Sequence, residues 1–245
     1  MVWAWGTTGH RVVVEIANNH LTNKAKRQIS KIIDNQPLVY WANWSDFIKS
    51  NPAYKESDSW HYLNFPAGLS REAFQKELEN STDANLYKRT LKIIDDLKNH
   101  KNLPLEQKRE NLYYLIHLLG DSHQPLHVGR AEDLGGNKFI VEWFKTPTNL
   151  HSLWDSKLID FQMYSYSEYA YVLDYHDKKY NQTLVEGTFE DWLYDTYLKS
   201  ELIYESAKPG EQLSYAYNYQ YVSVLEEQLL KGGHRLAKIL NSIFG

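Results

Sequence analysis

Cysteine is absent from the 245 residues, and methionine occurs only twice. Without a thiol there can be no disulfide framework, no thiolate metal site and no cysteine nucleophile. No apolar run approaches the roughly 18 residues that a membrane span requires. Seven prolines and 12 glycines are too scattered to form a Pro/Gly/Ser linker, and neither a repeat nor a low-complexity tract is found. Basic charge is not in excess either: 27 Lys and Arg stand against 31 Asp and Glu, a formal −4. Bulk charge alone therefore speaks against a protein that grips phosphate backbones. What the chain does have is 10 histidines, 14% aromatic residues and a 42% hydrophobic fraction, enough for a sizeable core. Histidine with aspartate suits hard or borderline metals and acid–base chemistry.

Helical periodicity dominates, and the expected fold is mainly α: a single-domain helical bundle with one short β-hairpin, spanning residues 5–245. Val12, Val13, Ile16 and Ala17 form one apolar face after Gly9. Thr22 can cap the next helix, which carries Ala25, Ile29, Ile32 and Ile33 and stops before Pro37. A third helix is expected from about Leu38 to Ile48, and a fourth from about Asp83 to Leu97. The longest is expected to open at Pro104 and to turn Leu112, Leu115, Ile116 and Leu119 inward. The segment from Val222 to Ile243 reads as one or two helices, with Gly232-Gly233 as the natural break. The only good strand signal is Lys138 to Phe144, preceded by Gly135-Gly136. At the start, Val2-Trp3-Ala4 resembles the end of a secretory signal. Cleavage is then expected before Trp5, with residues 1–4 as a signal remnant or an added extension.

Chemistry concentrates in "HLLGDSHQPLH". His117 and Asp121 are four apart on a helix and share a face, and His127 follows just past Pro125. A single His-x-x-x-Asp is ordinarily a core pair satisfied by hydrogen bonds. The spacing recurs, however, in "NLHSLWD", where His151 and Asp155 are again four apart. A divalent ion would satisfy both pairs, and imidazole nitrogen with carboxylate oxygen suits zinc. Ferritin-like sites use Glu-x-x-His instead. "WHYLNFP" adds His61, "NWSDFIK" adds Asp46 with Lys49 one turn on, and "WGTTGH" adds His10. Each of these alone would ordinarily be structural.

Together with "GGNKF" and "LLKGGHRLAKILNSI", these segments resemble, in order and spacing from Trp5 to Gly245, the zinc-dependent single-strand-specific nucleases and 3′-nucleotidases of fungi and plants. Zinc-dependent phospholipase C is a distant relative of that family. The resemblance implies three Zn²⁺ per chain. Asp46, His61, His117 and Asp121 would hold the first, and His127, His151 and Asp155 the second. Trp5 and His10, with Asp121 bridging, would hold the third. The family's counterpart of Trp5 chelates through a free amine, which residues 1–4 would block unless removed.

The resemblance further implies that Asp46 and Lys49 act in catalysis. Lys49, Tyr62 and Asn137 would contact the substrate, whereas Asn64 departs from an acidic base-reading residue of some members. His20, His100, His123, His176 and His234 match no ligand position; His20, His100 and His176 read as surface residues, and His123 as polar support. Fungal and plant members carry disulfides, so a Cys-free chain reads as a bacterial relative. The expected substrates are single-stranded nucleic acid and 3′-nucleotides, and the expected protein is a secreted or periplasmic monomer. A phospholipase C-like phosphodiesterase is the alternative. Three Zn²⁺ would turn the formal −4 into about +2, which removes the objection from bulk charge.

Overall fold

The computed structural model describes residues 5–82, 84–99 and 103–245. Met1 to Ala4, the expected helix opening at Asp83, and His100 lie outside the described residues.

The first helix, α1 (Thr7–Asn19), buries Val12, Val13, Ile16 and Ala17 as its periodicity requires. Thr22 caps α2 (Asn23–Ile32), its side chain accepting from the Ala25 amide. The expected third helix divides. A 3₁₀ turn covers Leu38–Trp41, and α3 (Trp44–Ile48) follows, carrying Asp46 in its first turn. A 3₁₀ stretch, Pro52–His61, then delivers His61 to β1 (Leu63–Phe65). Next come α4 (Arg71–Asn80) and α5 (Leu86–Lys98), the latter capped by Asn85 and burying Leu86, Thr90, Ile93 and Leu97.

Helix α6 (Leu105–Asp121) buries every residue from Leu112 to Asp121 rather than a single stripe. A helix is apolar all round only where neighbours enclose it. Packed against α1, α3, α5 and α12 (Tyr215–Phe244), it is the centre of the molecule.

Strand content exceeds the single expected hairpin. That hairpin is present as β3 (Ile140–Trp143) and β4 (Thr146–Asn149), antiparallel across a two-residue turn in which Phe144 and Lys145 both have positive φ. The two-residue β5 (Gln212–Leu213) adds in parallel to β3, and β1 pairs in parallel with β2 (Val128–Arg130). Strands of two or three residues show no period-2 pattern, so hydrophobic alternation cannot reveal them. Their function is positional: the Leu63–Val128 register sets the segments ending in His61 and His127 side by side.

The stretch from Leu150 to Phe161 winds continuously as α7 (Leu150–Ser152), a π turn (Leu153–Lys157) and α8 (Leu158–Phe161). Asp155 sits inside the π turn, a departure that recurs at functional sites. Helices α9 (Tyr166–Leu173), α10 (Lys178–Leu184) and α11 (Phe189–Glu205) lead to α12. The buried apolar side chains, from Trp5 to Phe244, form one continuous cluster.

Two further expectations about helices are corrected. The longest helix is α12, not α6, and α12 passes unbroken through Gly232-Gly233. The glycines serve packing: a Cβ on Gly233 would lie 2.5 Å from Ile16 Cβ, and one on Gly232 would lie 3.3 Å from Val13 Cγ2. Gly233→Ala should therefore destabilise the fold by roughly 1–2 kcal/mol, overpacking outweighing the gain in helix propensity. Gly232→Ala, meeting a methyl tip of Val13 closely and His123 at ordinary contact distance, should be close to neutral. Urea denaturation of the two variants checks the difference. No helix among the described residues is long and apolar enough to cross a membrane.

Candidate metal centre

The last turn of α6 carries His117 and Asp121, with His117 Nε2 3.4 Å from Asp121 Oδ2. Around them the fold assembles donors from five other segments. Asp121 is the hub. Its Oδ2 also takes His61 Nδ1 at 2.9 Å, while Oδ1 faces His10 Nε2 at 3.3 Å and His127 Nδ1 at 3.4 Å. Asp46 Oδ1 reaches His117 Nε2 at 3.6 Å and His61 Nδ1 at 4.0 Å, and accepts from Lys49 Nζ at 2.7 Å. Beyond His127, Asp155 Oδ1 lies 3.6 Å from His127 Nε2, and Asp155 Oδ2 lies 3.1 Å from His151 Nε2. The His10 and His117 rings stack at 3.8 Å, and those of His127 and His151 at 5.0 Å.

Backbone carbonyls orient three of the rings. His117 Nδ1 donates to the Ala42 carbonyl at 2.8 Å, His127 Nδ1 to that of His61 at 2.8 Å, and His151 Nδ1 to that of Gly135 at 2.6 Å. Such bonds fix the tautomer and aim the other nitrogen inward, an arrangement typical of metal-binding histidine. Only glycine fits at position 135: its φ is +64°, and a Cβ would stand 2.5 Å from the Leu126 carbonyl oxygen.

Charge is balanced within the cluster. Burial pushes the Asp121 carboxyl up, but His117, His127, His10 and His61 hold it well below the usual carboxylate range. Burial likewise raises Asp46, and His117, Lys49 and His61 overcome it. Burial and then His10 drive His117 down to about 3. His61 is lowered by burial, which outweighs its bond to Asp121. His127 goes the other way: burial opposes its proton, yet Asp121 and Asp155 raise it to about 9. Three buried carboxylates against one lysine thus draw positive charge inward.

The donor set fits a metal. His10 Nδ1 and Nε2, His61 Nε2, His117 Nε2, Asp121 Oδ1 and Asp155 Oδ2 are buried without a hydrogen-bond partner among the described residues. Unpaired polar atoms in such a setting cost roughly 1–3 kcal/mol each, so six of them at one place mark a site for cations. Three triplets, His10–Asp46–His117, His61–His117–Asp121 and His127–His151–Asp155, each bring their donor atoms within 4.8 Å of one another.

The remaining expected residues are placed differently. Trp5 is fully buried, its indole donating to the Gly120 carbonyl at 2.8 Å, and the next amide, Gly6 N, donates to the Asp155 carbonyl at 2.7 Å. Trp5 and Gly6 are therefore pinned beside the cluster. Tyr62 is half-buried one residue past His61. Asn137 Nδ2 bonds to the Leu134 carbonyl at 2.8 Å and so braces the turn that positions His151. His123 is buried, and its ring links the Leu119 carbonyl to Arg235 of α12.

Two positioning residues escape motif reading. Gln124 is buried, donating from Nε2 to Asp155 and accepting the Leu126 amide on Oε1. Gly120 leaves room for His10: a Cβ there would stand 2.6 Å from His10 Nδ1. A glycine inside a helix costs about 1 kcal/mol against alanine, which is itself a signal that something lies close.

The fold and this donor set define a mainly helical protein with a polynuclear metal-binding candidate centre of imidazole and carboxylate. The S1/P1 Nuclease family model matches residues 5–245, and the chain belongs to that family. It is 28% identical to Endonuclease 5 of Arabidopsis thaliana, covering 98% of this chain and 90% of that protein. It is 28% identical to Nuclease P1 of Penicillium citrinum over 98% of both chains. With Nuclease S1 of Aspergillus oryzae the identity is 25%, over 99% of this chain and 93% of the relative.

Proposed function

We propose that the chain is a zinc-dependent phosphodiesterase that hydrolyses single-stranded DNA and RNA to 5′-phosphorylated products and also removes 3′-phosphate from nucleotides. The observation that carries this reading is Asp121, one buried carboxylate facing four histidines, set in a cluster with six unpartnered donor atoms. The family and the names of its relatives supply the substrate class. Asp46, His61, His117 and Asp121 would hold one zinc ion and His127, His151 and Asp155 another; Trp5 and His10 would share Asp121 for a third. When bound, zinc supplies Lewis acidity, lowers the pKa of water from 15.7 toward about 7 and offsets charge on the departing oxygen.

The chain's own side chains do the rest. Asp46 would accept a hydrogen bond from the attacking water and orient it toward phosphorus. Lys49, against Asp46, would offset charge on the scissile phosphate. Tyr62 would stack on a base, worth roughly 1–3 kcal/mol, and Asn137 would contact the substrate while bracing its turn. A base that must stack on protein has to leave its neighbours, and unpairing it from a duplex costs a few kcal/mol, so single strands are favoured. Assays on single-stranded DNA, RNA, 3′-AMP and phosphatidylcholine test the reading. Cleavage of the first three with 5′-phosphate ends on the products is expected; turnover of phosphatidylcholine alone would assign the phospholipase C-like activity.

The third ion asks for a free amine at Trp5, hence removal of Met1 to Ala4 during export as a secreted or periplasmic monomer. Amino-terminal sequencing of the exported protein should begin at Trp5, and a start at Met1 would contradict this. Gly120→Ala should displace His10 while leaving α6 helical. A misplacement near 1 Å can cost about 100-fold, so a fall in single-stranded DNA turnover of that order is expected, with circular dichroism unchanged.

A further inference from the structure

A second convergence of donors lies at the opposite end of α1 from His10. His20 follows the last turn of α1, Asp174 follows the last turn of α9, and His234 lies within α12. Asp174 turns one oxygen to each imidazole: Oδ2 is 2.7 Å from His20 Nε2, and Oδ1 is 3.0 Å from His234 Nε2. The two rings stand 4.2 Å apart, and one donor atom from each of the three residues lies within 4.8 Å of the others. The group grades from core to solvent, with side-chain exposures of 5% for His234, 11% for Asp174 and 35% for His20. None of the three contributes to the centre around Asp121. Ten helical positions separate His20 from His10, about 15 Å along the axis, too far to share an ion.

The backbone here is already ordered. Asn241 of α12 donates from Nδ2 to the His20 carbonyl at 3.0 Å and accepts the Thr22 amide on Oδ1 at 2.8 Å. The turn after α1 is thus held on α12 without help from the imidazoles, so binding an ion there requires no loop to be ordered.

Two imidazoles and one carboxylate, with an open side at His20, match a zinc site of three protein ligands plus water. The nitrogen donors select against Mg²⁺ and Ca²⁺, which prefer oxygen shells. Bonds of about 2.0–2.2 Å in a tetrahedron place donors roughly 3.3–3.5 Å apart, so His234 and Asp174, now 3.0 Å apart, must open by about 0.3–0.5 Å and His20 and Asp174, now 2.7 Å apart, by about 0.6–0.8 Å. His20, the most exposed of the three, is the side chain that can move.

We infer that His20, Asp174 and His234 form an additional divalent transition-metal site, suited to Zn²⁺, that ties the ends of α1 and α9 to α12 and is separate from the hydrolytic centre. An ion bound only by the folded chain raises the melting temperature as its concentration rises.

The test compares full-length wild type with His20→Ala and with the isosteric Asp174→Asn, each dialysed to equilibrium against the same buffered Zn²⁺ and counted for zinc by mass spectrometry. Each variant should hold one zinc fewer than wild type, and should lose the final zinc-dependent rise in melting temperature. Hydrolysis of single-stranded DNA should be unchanged. Because the count is a difference, it stands whether or not the Asp121 centre holds zinc. Equal zinc counts and equal zinc-dependent melting in all three proteins would show a hydrogen-bonded triad only and overturn the site. A loss of hydrolysis in His20→Ala that tracks the missing ion would overturn its separateness.

Discussion

Asp121→Ala is expected to lower kcat/KM on single-stranded DNA by roughly 1000-fold and to strip the protein of at least one zinc ion. The expectation rests on the position of Asp121 as the common anion of His10, His61, His117 and His127, all within 3.4 Å of its carboxylate. Losing the ion it helps to hold would remove a Lewis-acid contribution to transition-state stabilisation of several kcal/mol, roughly 3–5. At 1.36 kcal/mol per tenfold, that converts to between about 10² and 10⁴ in rate. The cavity is a smaller matter than the charge, so Asp121→Asn, which keeps the shape, should recover little activity. Near wild-type turnover with full zinc in Asp121→Ala would remove Asp121 from the centre.

Lys49→Ala is the second large effect and should separate catalysis from metal binding. Its ammonium sits 2.7 Å from Asp46 Oδ1 at the rim of the cluster, 20% exposed, where an incoming phosphate can meet it. Lysine cannot ligate a metal while protonated, so the zinc content should not change. Loss of one preorganised donor to a developing anion costs about 10²–10³ in kcat, and a fall of that size is expected with KM little altered. Lys49→Arg, which keeps the charge, should restore part of the rate. Loss of zinc in Lys49→Ala would show instead that the lysine merely holds Asp46 in place.

The core of this site was legible because its chemistry is local. His117 with Asp121, and His151 with Asp155, announce themselves by spacing, and the family resemblance connected them to Asp46, His61, His127 and His10. All of these converge in the structure. What sequence could not show is the set of non-local contacts that aim them. The carbonyls of Ala42, His61 and Gly135 carry no side-chain signal, yet each orients a ring. Gln124 lies between two histidines of the motif, and only the fold reveals that it holds Asp155. Gly233 reads as part of a helix break, but it and Gly120 prove to be places where α1 comes close, through Ile16 and His10. For the same reason α12 runs unbroken where a break was expected. His20 reads as a surface residue and is one, yet its ring pairs with Asp174 next to His234, across 154 residues of chain.

The most direct test of the central claim measures zinc per chain and hydrolysis of single-stranded DNA on the same sample, before chelation, after it, and after zinc is returned. The account predicts that the protein as purified carries zinc, that chelation removes zinc and activity together, and that returning zinc restores both. A chain stripped of zinc that still cleaves single-stranded DNA at its original rate would contradict it.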